Sequence, residues 1–282
     1  MITVRSKLYV AGFCKNIGAL TMRGEPWAVT KFPAICALIQ HPSGRNILFD
    51  TGYAKRFHTV TQKLPYKFYA WFTPVTVTAE DELHSQLLLD GLRPQDIDTV
   101  ILSHFHADHL GGIKDFPDVT VIASQKAFDA AQALSPIQAV KTGFIPDLIP
   151  GDFKNRMMPL EKIPTVPVLD YLPGFQSGWD LFGDGSVLAV PLPGHAKDQF
   201  GIYFQDAQHG EIFLVADAAW SSRAIRENRL PSSLAYSAFD SGQDYDRVMG
   251  KLHHLTKTRP EVKLVPSHCS EIWKEIDNAR PL

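Results

Sequence analysis

The chain has 282 residues, 45% apolar and 21% charged, a balance that excludes a disordered chain and leaves enough apolar surface for a sizeable core. Its 28 basic and 30 acidic residues give a formal charge of −2 with no Lys/Arg run, which argues against a nucleic-acid surface. No run of about 18 apolar residues exists to cross a membrane, the N-terminus lacks a signal-peptide core, and Cys14, Cys36 and Cys269 form no C-x-x-C pair, so a cytoplasmic, disulfide-free protein is expected.

In chain order, residues 3–13 alternate loosely and read as a strand. Residues 34–41 read as a second, and Pro42-Ser43-Gly44 turns the chain back into Asn46–Phe49. That hairpin ends at Asp50-Thr51-Gly52, where an aspartate behind an apolar strand needs hydrogen-bond partners. Residues 56–82 form an insertion whose centre, Tyr66 to Phe72, is aromatic between Pro65 and Pro74. Tyr69, Trp71 and Phe72 there are candidates for a lid over a site, a contact between two copies of the chain, or a loop pinned by its rings. Residues 80–93 read as a helix with Leu83, Leu87 and Leu88 on its packed face and Gly91 closing it.

Thr99-Val100-Ile101-Leu102 then reads as a buried strand running into Ser103-His104-Phe105-His106-Ala107-Asp108-His109-Leu110-Gly111-Gly112. His104 and His106 are two apart, so an extended backbone points both rings to one side, where they can grip one cation. Asp108 and His109 follow as the chain turns and can face a second cation. Gly111 and Gly112 let the backbone lie close by. Neutral imidazole with carboxylate suits zinc, and also iron, manganese or cobalt.

Val119–Ala123 reads as a strand and Gln125–Leu134 as a helix. Residues 135–184 form a second insertion, rich in proline and glycine; its Met157, Met158, Tyr171, Leu172, Phe175 and Trp179 suit either a pocket or a sheet cover. Ser186–Leu192, Phe200–Gln205, Glu211–Val215 and Val262–Val265 read as strands, 220–243 as loop and 244–257 as a helix. Three of these strands lead to His195, Asp217 and His268. Ligand-type residues at strand ends are how a rigid scaffold presents a site. His41, His58, His84, His209, His253 and His254 lack such placement and are read as ordinary.

The His104–Gly112 run, with Phe49-Asp50-Thr51-Gly52, Pro193-Gly194-His195, Val215-Ala216-Asp217 and Pro266-Ser267-His268 in that order, resembles the metallo-β-lactamase superfamily. The resemblance implies an α/β (α+β) fold, an αββα four-layer sandwich of two mixed sheets flanked by helices, with one domain spanning 1–282. It implies two divalent cations, one held by His104, His106 and His195, the other by Asp108, His109 and His268, with Asp217 shared and Asp50 behind the ligands. The chemistry expected is hydrolysis by a water acidified between the two cations, Asp108 or Asp217 carrying the proton to the leaving group. Within the superfamily the chain is most similar to N-acyl homoserine lactone hydrolases, in its complete histidine run, its aromatic insertion and the 22 positions from His195 to Asp217. It departs from them at Trp220, where those enzymes often carry a tyrosine; indole N–H donates a hydrogen bond but is no acid. A β-lactam, thioester or phosphodiester hydrolase, or an iron-dependent oxidoreductase, remains the alternative on the same ligands.

Overall fold

A computed structural model of the chain describes residues 1–278. Its strands are β1 (Thr3–Ile17), β2 (Val29–Gln40), β3 (Asn46–Phe49), β4 (Val75–Thr76), β5 (Thr99–Ile101), β6 (Thr120–Ala123) and β7 (Met157–Pro159), then β8 (Thr165–Pro167), β9 (Ser177–Asp180), β10 (Val187–Pro191), β11 (Phe200–Asp206), β12 (Gly210–Ala216) and β13 (Lys263–Pro266). The first sheet runs β7-β6-β5-β3-β2-β1, with β4 on the distal part of β1; β3, β5, β6 and β7 are parallel neighbours. The second runs β13-β12-β11-β10-β9-β8 and is antiparallel except for the parallel β12–β13 pair.

Side chains that alternate along each strand divide between two faces. Leu38, Leu48, Val100 and Val121 point outward from the first sheet, onto the helices Leu83–Leu89 and Gln125–Gln132. Their neighbours Ile39, Ile47, Ile101 and Ile122 point inward and meet Val187, Ala189, Ile202, Phe204 and Leu214 of the second sheet. Leu188, Val190, Tyr203, Phe213 and Val215 point the other way, onto the helices Ser222–Glu227 and Gly242–Thr258. Both sheets are therefore covered on both faces, giving the expected helix–sheet–sheet–helix order. The two sheets are not wholly separate, however. The first residues of β1 pair with β11, Thr3 with Gln205 and Val4 with Asp206, and the Asp206 carboxylate accepts from both the backbone N–H and the hydroxyl of Ser6.

Several readings change. Leu83 and Leu87, four apart, are buried, but Leu88 is 50% exposed because five residues of helix carry it off the packed stripe. The 135–184 insertion supplies the edge strands β7 and β8, the strand β9 between β8 and β10, and the helix Pro136–Thr142; its Met157, Met158, Leu172, Phe175 and Trp179 cover sheets, while Ile137 of the helix lines a cavity. The 220–243 stretch contains the helix Ser222–Glu227, capped by the Ser221 hydroxyl, which accepts from the Ala224 N–H. The helix Ser270–Asn278 went unread in the sequence; its Trp273 packs edge-on against Phe13 at 4.8 Å.

Candidate metal centre

β3, β5, β12 and β13 end on one side of the sandwich, and β10 delivers its following loop to the same place. Asp50 follows β3, the histidine run follows β5, His195 follows β10, Asp217 follows β12 and His268 follows β13. Past β5 the backbone is extended at His106, then closes one helical turn over Ala107–Leu110 that presents Asp108 and His109 together. Asp50 and Ala216 both adopt left-handed backbone, φ 59° and 48°. Non-glycine residues held there at a strand end are strained, and this strain aims Asp50 and Asp217 inward.

Gly194 turns the chain before His195 at φ 132°, and a Cβ there would lie 2.3 Å from the Tyr245 backbone nitrogen. Gly194→Ala is therefore expected to lose at least ~2 kcal/mol of stability in urea unfolding, through strain and the forced retreat of the helix Gly242–Thr258. An unchanged unfolding midpoint would show that the loop has room this geometry denies it.

The seven residues converge. The ligating atoms of His104, His106 and His195 lie within 4.8 Å of one another, as do those of Asp108, His109, Asp217 and His268. Asp217 joins the two groups: its Oδ2 is 3.3 Å from His195 Nε2 and 3.1 Å from His268 Nε2, and its Oδ1 is 3.3 Å from His109 Nε2. His195 Nε2 is 3.0 Å from His106 Nδ1, and His268 Nε2 is 3.1 Å from Asp108 Oδ2. Asp50 sits behind His109. Its Oδ2 is 2.7 Å from His109 Nδ1 and accepts from the Ser103 hydroxyl, while its Oδ1 accepts from the Ser103 N–H. When His109 is neutral, the proton held on Nδ1 by Asp50 leaves Nε2 as the lone pair facing Asp217. On His268, Nδ1 donates to the Pro33 carbonyl at 2.7 Å and Nε2 faces the cluster in the same way.

A divalent cation fits these residues on physical grounds. His104 Nε2, His109 Nε2 and Asp217 Oδ1 are buried and complete no hydrogen bond. Three orphaned polar atoms in one small volume are costly unless something binds them. The donor set, imidazole nitrogen and carboxylate oxygen, is one for borderline and hard divalent ions.

The electrostatics of the bare cluster point the same way. Burial, reinforced by neighbouring imidazoles, depresses His104 well below the usual histidine range; it brings His106 to about 3 and His195 to about 4. These three are neutral lone-pair donors at neutral pH. Burial also opposes charge on His109 and His268, but surrounding carboxylates outweigh it, raising His109 to about 10 and His268 well above 6.5. Asp108, despite burial, is drawn to about 2 by His109 and His268. Without metal, protons on His109 and His268 stand in for the second cation, so its binding releases them.

A stability prediction follows. His104, His106 and His195 resist protonation when folded but accept it near pH 6.5 when unfolded, so acidification favours unfolding by up to ~1.4 kcal/mol per pH unit for each. His109 and His268 act oppositely: their stabilisation is complete below 6.5 and is lost as pH rises through the folded value, about 10 for His109. The Asp108 contribution, present above the usual carboxylate range, is lost only as pH falls towards 2. Chelator-treated protein is therefore expected to be most stable near pH 6.5, with a Tm that falls steadily from pH 6.5 to 4 and falls again as pH rises from 6.5 towards 10. A flat Tm on the acid side would contradict the buried, neutral state of the three imidazoles.

The cluster floors a cavity of about 1060 Å³. Tyr69, Trp71, Phe72 and Trp220, singled out in the sequence, all line it, beside His106, Asp108, His195, Asp217 and His268. Trp71 and Phe72, on the helix Tyr66–Phe72, stand at the mouth, 61% and 78% exposed. Trp220 Nε1 donates to Asp217 Oδ2 at 3.0 Å, so its indole braces the shared carboxylate. Sequence reasoning missed Tyr53, Phe32, Ile137 and Phe239, which also line the cavity. Tyr53 directly follows the Asp-Thr-Gly turn, which could have flagged it; the others carry no local signal and arrive by tertiary folding. Cys269 is buried beside the Ser222 hydroxyl, outside both groups of ligating atoms.

The family model described as the metallo-beta-lactamase superfamily matches residues 29–229. Among curated proteins, the chain is 28% identical to N-acyl homoserine lactonase AttM of Azorhizobium caulinodans over 289 residues, covering 99% of this chain and 98% of that one. It is 26% identical to N-acyl homoserine lactonase AiiA of Bacillus thuringiensis subsp. kurstaki, over 85% and 84% of the two chains. Among solved structures, an N-acyl homoserine lactone hydrolase with the product N-hexanoyl-L-homoserine at its catalytic metal centre superposes with TM-score 0.72 at 20% identity, over 97% and 96% of the chains. The dizinc quorum-quenching lactonase AidC superposes at 0.64 with 16% identity, over 95% and 88%. These structural likenesses concern the fold.

Proposed function

The chain belongs to the metallo-β-lactamase superfamily, and from that premise we propose that it is a dinuclear metal-dependent hydrolase that opens the ring of N-acyl homoserine lactones. The observation that carries this is the junction at Asp217, one buried carboxylate in reach of histidines from both ligand groups. His104, His106 and His195 would hold one cation, Asp108, His109 and His268 the other, and Asp217 both. Zinc suits the set best, and the three free buried cysteines suit a reducing cytoplasm.

Two divalent cations in such a site supply an acidified water and positive charge against the substrate carbonyl. The protein's own residues do the rest. In lactone opening, water adds to the carbonyl carbon, the ring C–O bond breaks, and a proton passes to the departing ring oxygen. Asp217 is enclosed by three histidines and braced by Trp220. Asp108 is the more open of the two carboxylates, 10% exposed against 3%, which supports its handing over that proton. The neutral acyl tail would lie against Trp71, Phe72, Ile137 and Phe239, consistent with an apolar wall whose only acids, among the described residues, are Asp108 and Asp217 at the floor.

Assay of the metal-loaded protein on a panel separates the readings. The panel is N-acyl homoserine lactones, a chromogenic cephalosporin, a thioester and bis-p-nitrophenyl phosphate. The expected result is fastest turnover of an acyl lactone, abolished by chelation and restored by zinc. Turnover confined to another class would replace the lactone assignment and leave the hydrolase standing.

A further inference from the structure

Two phenols inside the cavity belong to neither ligand group. Tyr53 is 1% exposed, anchored by its backbone N–H to the Ala11 carbonyl at 2.9 Å, and its ring packs edge-on against Phe57. Phe57 in turn packs against Tyr69. The Tyr53 hydroxyl is fully buried and completes no hydrogen bond of normal geometry, although Tyr69, Cys14 and Asp108 are its polar neighbours. Tyr69 lies next to the ligands: a Cβ on Gly143 would sit 3.5 Å from both the Tyr69 and the His106 rings. The other indole or phenol donor at the floor, Trp220 Nε1, is already committed to Asp217. A buried hydroxyl left without a partner is costly, and native proteins keep few of them.

We propose that Tyr69 is a substrate-binding donor, giving its hydroxyl proton in a hydrogen bond to a carbonyl oxygen of the substrate on the Asp108 side of the site, and that Tyr53 is a positioning residue whose hydroxyl, unpaired without substrate, engages the Tyr69 hydroxyl when substrate draws on its proton. This rests on the reading of the site as a hydrolase of acyl lactones.

The test is a double-mutant cycle on zinc-loaded protein, Tyr53→Phe, Tyr69→Phe and both together, with kcat and KM measured on whichever panel substrate the wild type turns over fastest. Metal content, Tm and calorimetric affinity for the hydrolysed product are read in parallel. Tyr69→Phe is expected to lower kcat/KM by about 10- to 100-fold and to weaken product binding, at unchanged metal content. Tyr53→Phe is expected to lower kcat/KM by a smaller factor while Tm holds or rises, since it removes an unpaired hydroxyl. The double variant should match Tyr69→Phe, because Tyr53 acts through it. Tyr69→Phe within twofold of wild type in kcat/KM and product affinity would overturn the proposal. An additive double variant would overturn the positioning role of Tyr53. A lost lactone reading would show instead in the wild-type panel, independently of these ratios.

Discussion

Asp217→Asn is expected to lower kcat/KM by at least ~10³-fold, about 4 kcal/mol of transition-state stabilisation, in a protein that still folds. The substitution keeps the shape and the acceptor for Trp220 but removes the one negative charge that His109, His195 and His268 all face. With that charge gone the two ligand groups lose their common member. Zinc bound per chain should fall from two to one or fewer, the His104–His106–His195 group keeping its ion as the more complete set of neutral donors. Circular dichroism should show the wild-type fold. Wild-type stoichiometry and activity within tenfold of wild type would mean that Asp217 is only a structural acceptor at the end of β12.

The second large effect falls on stability. Asp50→Ala removes the acceptor for the Ser103 N–H, the Ser103 hydroxyl and His109 Nδ1, all buried. Each donor left unpaired costs about 1–3 kcal/mol, and breaking a buried pair with a raised-pKa histidine costs about 3–5 kcal/mol. These estimates overlap, so a total loss of ~3–5 kcal/mol is expected in urea unfolding of the chelated protein. Metal affinity should also fall by about 10- to 100-fold, because nothing then fixes the His109 tautomer that turns Nε2 towards Asp217. Competition with a chromophoric chelator measures this. A variant as stable and as zinc-avid as wild type would show that Asp50 is merely a turn residue.

The site was legible in the sequence because its ligands are local in kind. Each follows an apolar strand, and four of them crowd into His104–His109, where no packing role explains them. Family resemblance then tied the distant His195, Asp217 and His268 to that run, and the chain's folding brings all seven together. The layered fold was implied by the same resemblance, and continuous apolar runs such as Ala37-Leu38-Ile39 fit it, because alternate side chains go to two covered faces. What the sequence hid was set by tertiary partners. Leu88 looks like Leu87 until helix phase is fixed. The short strands β7, β8 and β9 have no pattern of their own and pair only because a neighbouring edge is available. Tyr53 reads as one more aromatic after a turn, and only the absence of a partner for its hydroxyl sets it apart.

Elemental analysis of chelator-stripped protein titrated with zinc, with lactone hydrolysis followed at each addition, bears most directly on the paired-cation site. Uptake should stop at two ions per chain, with activity completed by the second equivalent. Saturation at one ion with full activity, or no tight uptake at all, would contradict it.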